Sequence, residues 1–211
     1  MLKRHRVIAA LSATAMLGGS ALALAPAASA KPTSLGDILL ADTKKDGSPS
    51  YDRNKADFDI LTAAVLTVLA DDPHSAVSVL TDPNVKLTAF IPNDAAFKTT
   101  AKALGLKAVK EAKVANRLVA VLGVNKVEKV LLYHVVPGMK ITSKMAAASD
   151  GARLETALGK KIGVNVRDSG KIFLRDANRK VANPQIIAVD INKDKDNKQI
   201  AHVINSVLLP F

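Results

Sequence analysis

The sequence predicts an α+β fold, with a helical N-terminal half packed on a largely antiparallel β-sheet wedge from the C-terminal half. Two observations lead to this prediction. Before Gly138, apolar residues recur mainly at helical spacing, in segments that end at Gly or Pro. After Gly138, short segments rich in Val and Ile alternate with polar residues, and turn formers separate these segments.

The first helix is predicted from about Phe58 to Leu69, because apolar residues recur at helical spacing over this stretch. We expect Asp57 to cap its first turn and Pro73 to follow its end. A short apolar stretch over residues 76–80 comes next.

A strand is predicted over residues 87–91, and Pro92 ends it. Asn93 or Asp94 is then expected to cap a helix that continues through Lys102. Two further helices are predicted over residues 107–122 and 127–133. In the second half, five strands are predicted near residues 153–157, 161–167, 171–175, 185–192 and 199–208.

The first thirty residues have the pattern of a cleavable secretory signal. Lys3, Arg4 and Arg6 precede an apolar run, and the run ends at the small residues Ala28-Ser29-Ala30. We therefore expect cleavage after residue 30 and no membrane span in the mature protein, with an uncleaved anchor as the alternative. Residues 31–56 are polar and rich in turn formers, so they predict a leader with little structure of its own. This leader is expected to lie outside the main domain, which is predicted over residues 57–211, with order beginning near Asp57.

The composition limits the class of partner. Removing the three basic residues of the signal from the 30 in the sequence leaves a net charge of +8 against 19 acidic residues. This charge favours anionic partners, although dispersed lysines that only keep the protein soluble are the alternative. Aromatic residues make up 3% of the sequence, so we expect no nucleic-acid partner. The chain has no cysteine, which excludes disulfides and thiol nucleophiles.

Three segments carry a resemblance to a known family. They are a strand, proline and capped helix over residues 87–97 (LTAFIPNDAAF), a Tyr-His segment over residues 131–138 (LLYHVVPG) and a final apolar segment over residues 200–210 (IAHVINSVLLP). In this order they resemble the fasciclin (FAS1) domain, a secreted and cell-surface module, in a single-domain bacterial type. The resemblance covers about residues 57–211 and implies a fasciclin-like α+β fold.

The resemblance also implies roles for individual residues. The segment that has been implicated in adhesion corresponds to Tyr133, His134, Val135 and Val136, although apolar neighbours favour a neutral, structural His134 as the alternative. The residues with a structural role are Thr88, Phe90, Pro92, Asn93, Asp94, Phe97, His202, Val203, Ile204, Asn205, Leu208 and Pro210. Asn205 stands where the family usually has Asp, so a role that depends on a charged side chain is not expected at this position.

No catalytic or metal-binding motif is found in the sequence. The patterns G-x-S-x-G, G-x-x-x-x-G-K-[ST] and H-E-x-x-H are absent, so we expect no enzyme activity, no cofactor and no metal site. Residues 190–196 place oxygen ligands at alternate positions, as a calcium loop does. However, Lys195 replaces the required Gly and Ala201 replaces the Glu, so we expect a solvated turn.

The resemblance therefore implies a secreted, non-enzymatic interaction module that mediates cell adhesion. Its expected partner is a cell-surface, wall or matrix component, either a protein or an anionic polymer, and the expected location is extracellular or at the cell wall. An alternative function is an extracellular carrier or binding protein for a small ligand or an anionic polymer. An enzyme would need Ser143, His134 and an acid brought together by folding.

Overall fold

The structure is a computed structural model that describes residues 31–106 and 110–211. The expected signal and the first residues of the helix predicted over residues 107–122 lie outside the described residues. Pro32–Phe211 form one compact unit. No helix in the described part of the chain has both the length and the apolar character needed to cross a membrane.

The helices precede most of the strands. In chain order the described helices are α1 (Leu35–Leu40), α2 (Asp59–Asp71), a 3₁₀ helix (Ala76–Thr81), α3 (Asp94–Ala103), α4 (Glu111–Leu122), α5 (Val124–Tyr133) and α6 (Ser143–Ala147). The predicted cap of α3 is confirmed, because the Asn93 side chain accepts a hydrogen bond from the Ala96 N–H. Gly123 separates α4 from α5 with a φ of 77°, a conformation that favours glycine.

The strands form two sheets. They are β1 (Leu87–Pro92), β2 (Val135–Pro137), β3 (Arg153–Glu155), β4 (Lys161–Val166), β5 (Ile172–Arg175), β6 (Ile186–Ile191) and β7 (Gln199–Ile204). The larger sheet has the order β2-β1-β7-β6, and the smaller sheet has the order β3-β4-β5. All pairs are antiparallel except β1–β7, which is parallel. The predicted α+β class is confirmed.

The two central strands of the larger sheet, β1 and β7, are buried on both faces. Every residue of β1 and β7 is buried. Leu87, Ala89 and Ile91 belong to a core cluster shared with the helices, whereas Phe90 belongs to a second cluster shared with the smaller sheet. Because alternate side chains of a strand point to opposite faces, the sheet lies between the helices and the smaller sheet.

The expectation of little structure before Asp57 is wrong. A capping box between Ser34 and Asp37 begins α1, whose Leu35 and Leu39 are buried in the helical core. The Leu35 N–H also donates to the side chain of Gln199 in β7. A short amphipathic turn in a polar segment gives little periodic signal, because tertiary contacts stabilise it more than local propensity does.

The predicted cap of α2 is also wrong. The helix begins at Asp59, and the carboxylate of Asp57 accepts no hydrogen bond in the described residues. Instead, Oδ1 of Asp94 accepts the Ile60 N–H at 3.0 Å. The cap comes from the first residue of α3, so a local pattern cannot indicate it.

The remaining elements follow the sequence with small shifts. The helix predicted over residues 127–133 begins three residues earlier, and β7 ends at Ile204 rather than near residue 208. The sequence missed β2 and α6, because elements of three and five residues are too short to show a period.

Truncation of Phe97 tests the packing of α3. Its ring is buried in the helical core, so Phe97→Ala is expected to lower the free energy of unfolding by about 3 to 5 kcal/mol. Urea denaturation measures this change. Val121 lies on α4 with 62% of its surface exposed, and Val121→Ala serves as the control, with an expected change below about 1 kcal/mol. A loss below about 1 kcal/mol for Phe97→Ala would contradict the packing.

Candidate functional site

The three segments that carry the family resemblance meet in the larger sheet. Strand β1 pairs with β2 on one side, where Ala89 lies opposite Val135, and with β7 on the other, where Phe90 lies opposite His202. The Phe90 N–H donates to the His134 carbonyl at 2.9 Å. The expected convergence of these segments on one scaffold is therefore observed.

Tyr133 lies at the junction of the two sheets. Its side chain is fully buried, and its hydroxyl donates to the Lys161 carbonyl in β4 at 3.2 Å. Burial raises the pKa of the phenol, with a further contribution from the charge of Asp176. The ring thereby links the end of α5 to the smaller sheet.

His134 connects α5 to the C-terminal segment. Its Nδ1–H donates to the Val130 carbonyl at 2.7 Å, and its Nε2 accepts the Leu208 N–H at 3.0 Å. The second bond requires a lone pair on Nε2, so these partners assign a neutral ring with the proton on Nδ1. Burial lowers the pKa of His134 to about 4, which agrees with a neutral ring at physiological pH.

The segment expected to contact a partner is not at the surface. Tyr133, His134, Val135 and Val136 are all buried, and the polar atoms of the two rings are engaged within the fold. A partner cannot reach these side chains without opening the domain. The contact with a partner that the resemblance implies for these residues does not fit their burial. The geometry instead gives all four residues a structural role.

His202 of the third segment is a second neutral imidazole. Its ring stacks on Phe90, with the centroids 5.9 Å apart. Its Nε2–H donates to the Ile141 carbonyl at 2.8 Å, and its Nδ1 accepts the Asp190 N–H. Thr88 accepts the Ile141 N–H at 2.8 Å. Thr88 of the first segment and His202 of the third segment therefore both bind the loop at Ile141.

The other residues assigned from the resemblance also have structural contacts. The Asn205 side-chain carbonyl accepts the Gln185 N–H at 2.8 Å, a contact that Asp could also make, so the departure from the family pattern leaves this bond intact. Lys160 donates to the carbonyl of Pro210. The apolar members of the closing segment are buried, namely Val203, Ile204 and Leu208.

The constellation that an enzyme would need is not assembled. The Ser143 hydroxyl donates to Oδ2 of Asp190 at 2.7 Å, and neither nitrogen of His134 contacts it. His202 accepts the backbone N–H of Asp190 rather than approaching the serine. The histidine that this constellation requires is therefore not in contact with Ser143.

The turn that resembles a calcium loop is closed around a lysine. The Lys140 ammonium donates to the carbonyls of Lys193, Asp194 and Asn197, with 2.7 Å to Asp194. The side chain of Asp190 is engaged by Ser143. An internal cation thus binds backbone carbonyls of this turn.

Sequence reasoning missed a group of carboxylates. Asp57, Asp59 and Asp94 each offer an oxygen, and these three atoms lie within 4.8 Å of one another. The residues belong to two helix starts that are 35 positions apart, so no local spacing could indicate the group. Asp94 was expected only as a possible helix cap.

Comparison with known proteins places these observations in a family. The model of the Fasciclin domain matches residues 63–210. A similar solved structure is that of a FAS1 domain pair from the insect cell adhesion molecule fasciclin I, with 19% sequence identity and a TM-score of 0.44. The match covers 67% of this chain and 49% of that chain, so this chain spans about half the length of the pair. No curated protein sequence matches the chain.

Replacement of His134 tests its buried neutral state. The unfolded ring has the ordinary pKa of about 6.5, so below this pH the unfolded chain binds a proton that the folded chain excludes. The contribution of His134 to stability is thus complete above about pH 6.5 and falls by about 3 kcal/mol as the pH drops to about 4. The free energies of unfolding of the wild type and His134→Gln, measured by urea titration across this range, should converge toward low pH.

The difference between the two proteins isolates the histidine. Burial raises the pKa of Asp94 to about 7, so the contribution of Asp94 to stability falls as the pH rises through that value. This trend is opposite to that of His134, and it is present in both proteins. A difference that stays constant between about pH 7 and 4 would contradict a buried neutral His134.

Proposed function

The chain belongs to the fasciclin domain family, and from this premise we propose that it is a secreted, non-enzymatic interaction module that mediates adhesion by binding a cell-wall, cell-surface or matrix component. The family is associated with cell adhesion, and its domains are generally non-catalytic. The signal pattern in the first thirty residues supports export. Because the Tyr-His segment is buried, another surface of the domain must contact the partner.

The open edge of the larger sheet carries this proposal. Among the described residues, strand β6 ends the sheet order and its residues pair with β7 alone, while Gln185 just before the strand forms an isolated bridge to Phe173 of β5. Ile187 and Val189 on this strand are 49% and 46% exposed, although large apolar side chains of a strand are usually covered. An edge strand with exposed apolar residues offers both unpaired backbone groups and an apolar contact to a partner.

A second candidate function, binding of an anionic polymer, rests on a separate groove. This groove has a volume of about 540 Å³ and is lined by Lys126, Lys129 and Lys160, together with Leu158 and Phe211. Three ammonium groups around one groove favour a polyanion, since their fields add. Binding through this groove should weaken when salt shortens electrostatic reach to about 8 Å, whereas binding through the β6 edge should not.

The apolar cavity among the helices does not favour a small-ligand carrier. Side chains of α2, α3, α4 and α5 line an apolar cavity of about 60 Å³, which also contacts Phe97 and His134. Pockets for small ligands usually measure about 300 to 1,000 Å³. The cavity is therefore too small for such a ligand in this conformation.

Charged substitutions on β6 test the proposed surface. The purified chain is incubated with cell-envelope and matrix fractions, and retained material is measured with the wild type and with Ile187→Lys and Val189→Lys. Each substitution places a charge in an apolar contact, so retention should fall by about tenfold or more. Thermal melts should remain within a few degrees of the wild type, since both side chains are exposed.

The matched control is Val121→Lys, which adds the same charge at an exposed valine on α4. This variant should retain as much material as the wild type. Equal retention by all variants would rule out the β6 edge, and salt-sensitive retention lost on Lys126→Glu would support the lysine groove in its place. If the wild type retains nothing from either fraction, the adhesive function itself is contradicted.

A further inference from the structure

A group of carboxylates lies at the starts of α2 and α3. Asp59 begins α2, Asp94 begins α3, and Asp57 lies in the loop before α2. One oxygen from each residue lies within 4.8 Å of the other two. Asp52 and Glu111 form a further group with Asp59, so additional carboxylates border the site.

Three oxygens in this group have no partner. Asp94 is fully buried, and its Oδ2 accepts no hydrogen bond. Both carboxylate oxygens of Asp57 are also buried without a hydrogen bond. In the described residues no lysine, arginine or histidine forms an ion pair with the three aspartates, because the salt bridges there join other carboxylates. Buried carboxylates are normally paired or coordinate a metal ion, so these oxygens lack their usual partner.

Backbone contacts fix the positions of these carboxylates. The Asp94 N–H donates to the Asp57 carbonyl at 3.0 Å, while Asp94 Oδ1 accepts the Ile60 N–H. Asp59 accepts the N–H groups of Ser50 and Asp52 through its two oxygens. The group is therefore held in place before any ligand binds, and each bonded oxygen retains a further lone pair.

We propose that Asp57, Asp59 and Asp94 form a binding site for Ca²⁺. Calcium binds carboxylate oxygens at about 2.4 Å, so two oxygens on opposite sides of the ion are about 4.8 Å apart. The three oxygens lie within this distance of one another, so one ion can contact all three. Three carboxylates supply the charge for one divalent ion, and water or backbone carbonyls complete the six to eight ligands that are typical of calcium.

The electrostatics of the group agree with this assignment. Burial, followed by the neighbouring carboxylates, raises the pKa of Asp57 to about 6. Burial is also the main cause that raises the pKa of Asp94 to about 7. The turn at residues 190–196 differs in this respect, because the ammonium of Lys140 already binds backbone carbonyls there. Only the group at the helix starts combines clustered carboxylates with unpartnered oxygens among the described residues.

Calorimetry on the full chain tests the site. Chelator-treated protein is titrated with CaCl₂ at neutral pH, and one ion should bind with a Kd of about 1 mM or below. The melting temperature should rise with the Ca²⁺ concentration, since the ion binds the folded chain. Asp57→Asn should weaken binding by about tenfold or more, because it removes one of the three ligand charges.

The variants distinguish binding from misfolding. The oxygens of Asp57 accept no hydrogen bond, so in chelator Asp57→Asn should melt at or above the wild-type temperature. Asp196→Asn, which removes an exposed carboxylate from the other turn, is the matched control and should bind Ca²⁺ as the wild type does. No binding up to about 10 mM Ca²⁺, or unchanged binding in Asp57→Asn, would contradict the proposed site. Protons shared between the carboxylates would then explain how these buried groups are accommodated.

Terbium luminescence gives a second measurement that locates the ion. Tyr51 is close enough to the group that the charges of Asp59 and Asp94 raise its pKa, after burial as the main cause. The sequence has two tyrosines and no tryptophan, so Tyr51 should sensitise bound Tb³⁺. Emission should fall on addition of Ca²⁺ and be lost in Tyr51→Phe. Emission retained in Tyr51→Phe would place the ion elsewhere and contradict the proposal.

Discussion

The parallel pairing of β1 with β7 is the constraint on which the rest of the structure depends. It joins residues 87–92 to residues 199–204, and both strands are buried on both faces. The helices cover one face of this pair, and the smaller sheet covers the other. Because parallel pairing requires a long connection, everything from α3 to β6 lies between the two strands in the chain.

Two neutral imidazoles secure this arrangement. His134 bridges α5 and the C-terminal segment, while His202 joins β7 to the loop at Ile141. A buried ring whose nitrogens both have partners can be neutral without cost, whereas a charged ring would lose a hydrogen bond and its hydration. The Tyr-His segment is thus part of the scaffold.

Local signals in the sequence were sufficient for much of the fold. The Pro92-Asn93 junction and Gly123 mark element ends through backbone chemistry that acts within a few residues. The apolar neighbours of His134 likewise indicated its burial. The parallel β1–β7 pair, the cap that Asp94 gives α2 and the carboxylate group depend on residues far apart in the chain, so no local pattern reports them. The exposure of β6 follows from sheet order, which is also a tertiary property.

A buried β1–β7 pair and an exposed edge strand β6 are the arrangement that these contacts produce. Native-state hydrogen exchange measures it directly, because amide protection reports local opening. The amides of Phe90 and Leu208, which donate to His134, should exchange only through global unfolding, and outward amides of Ile187–Val189 should exchange orders of magnitude faster. Equal protection on β6 and β1, or rapid exchange of Leu208, would contradict the account.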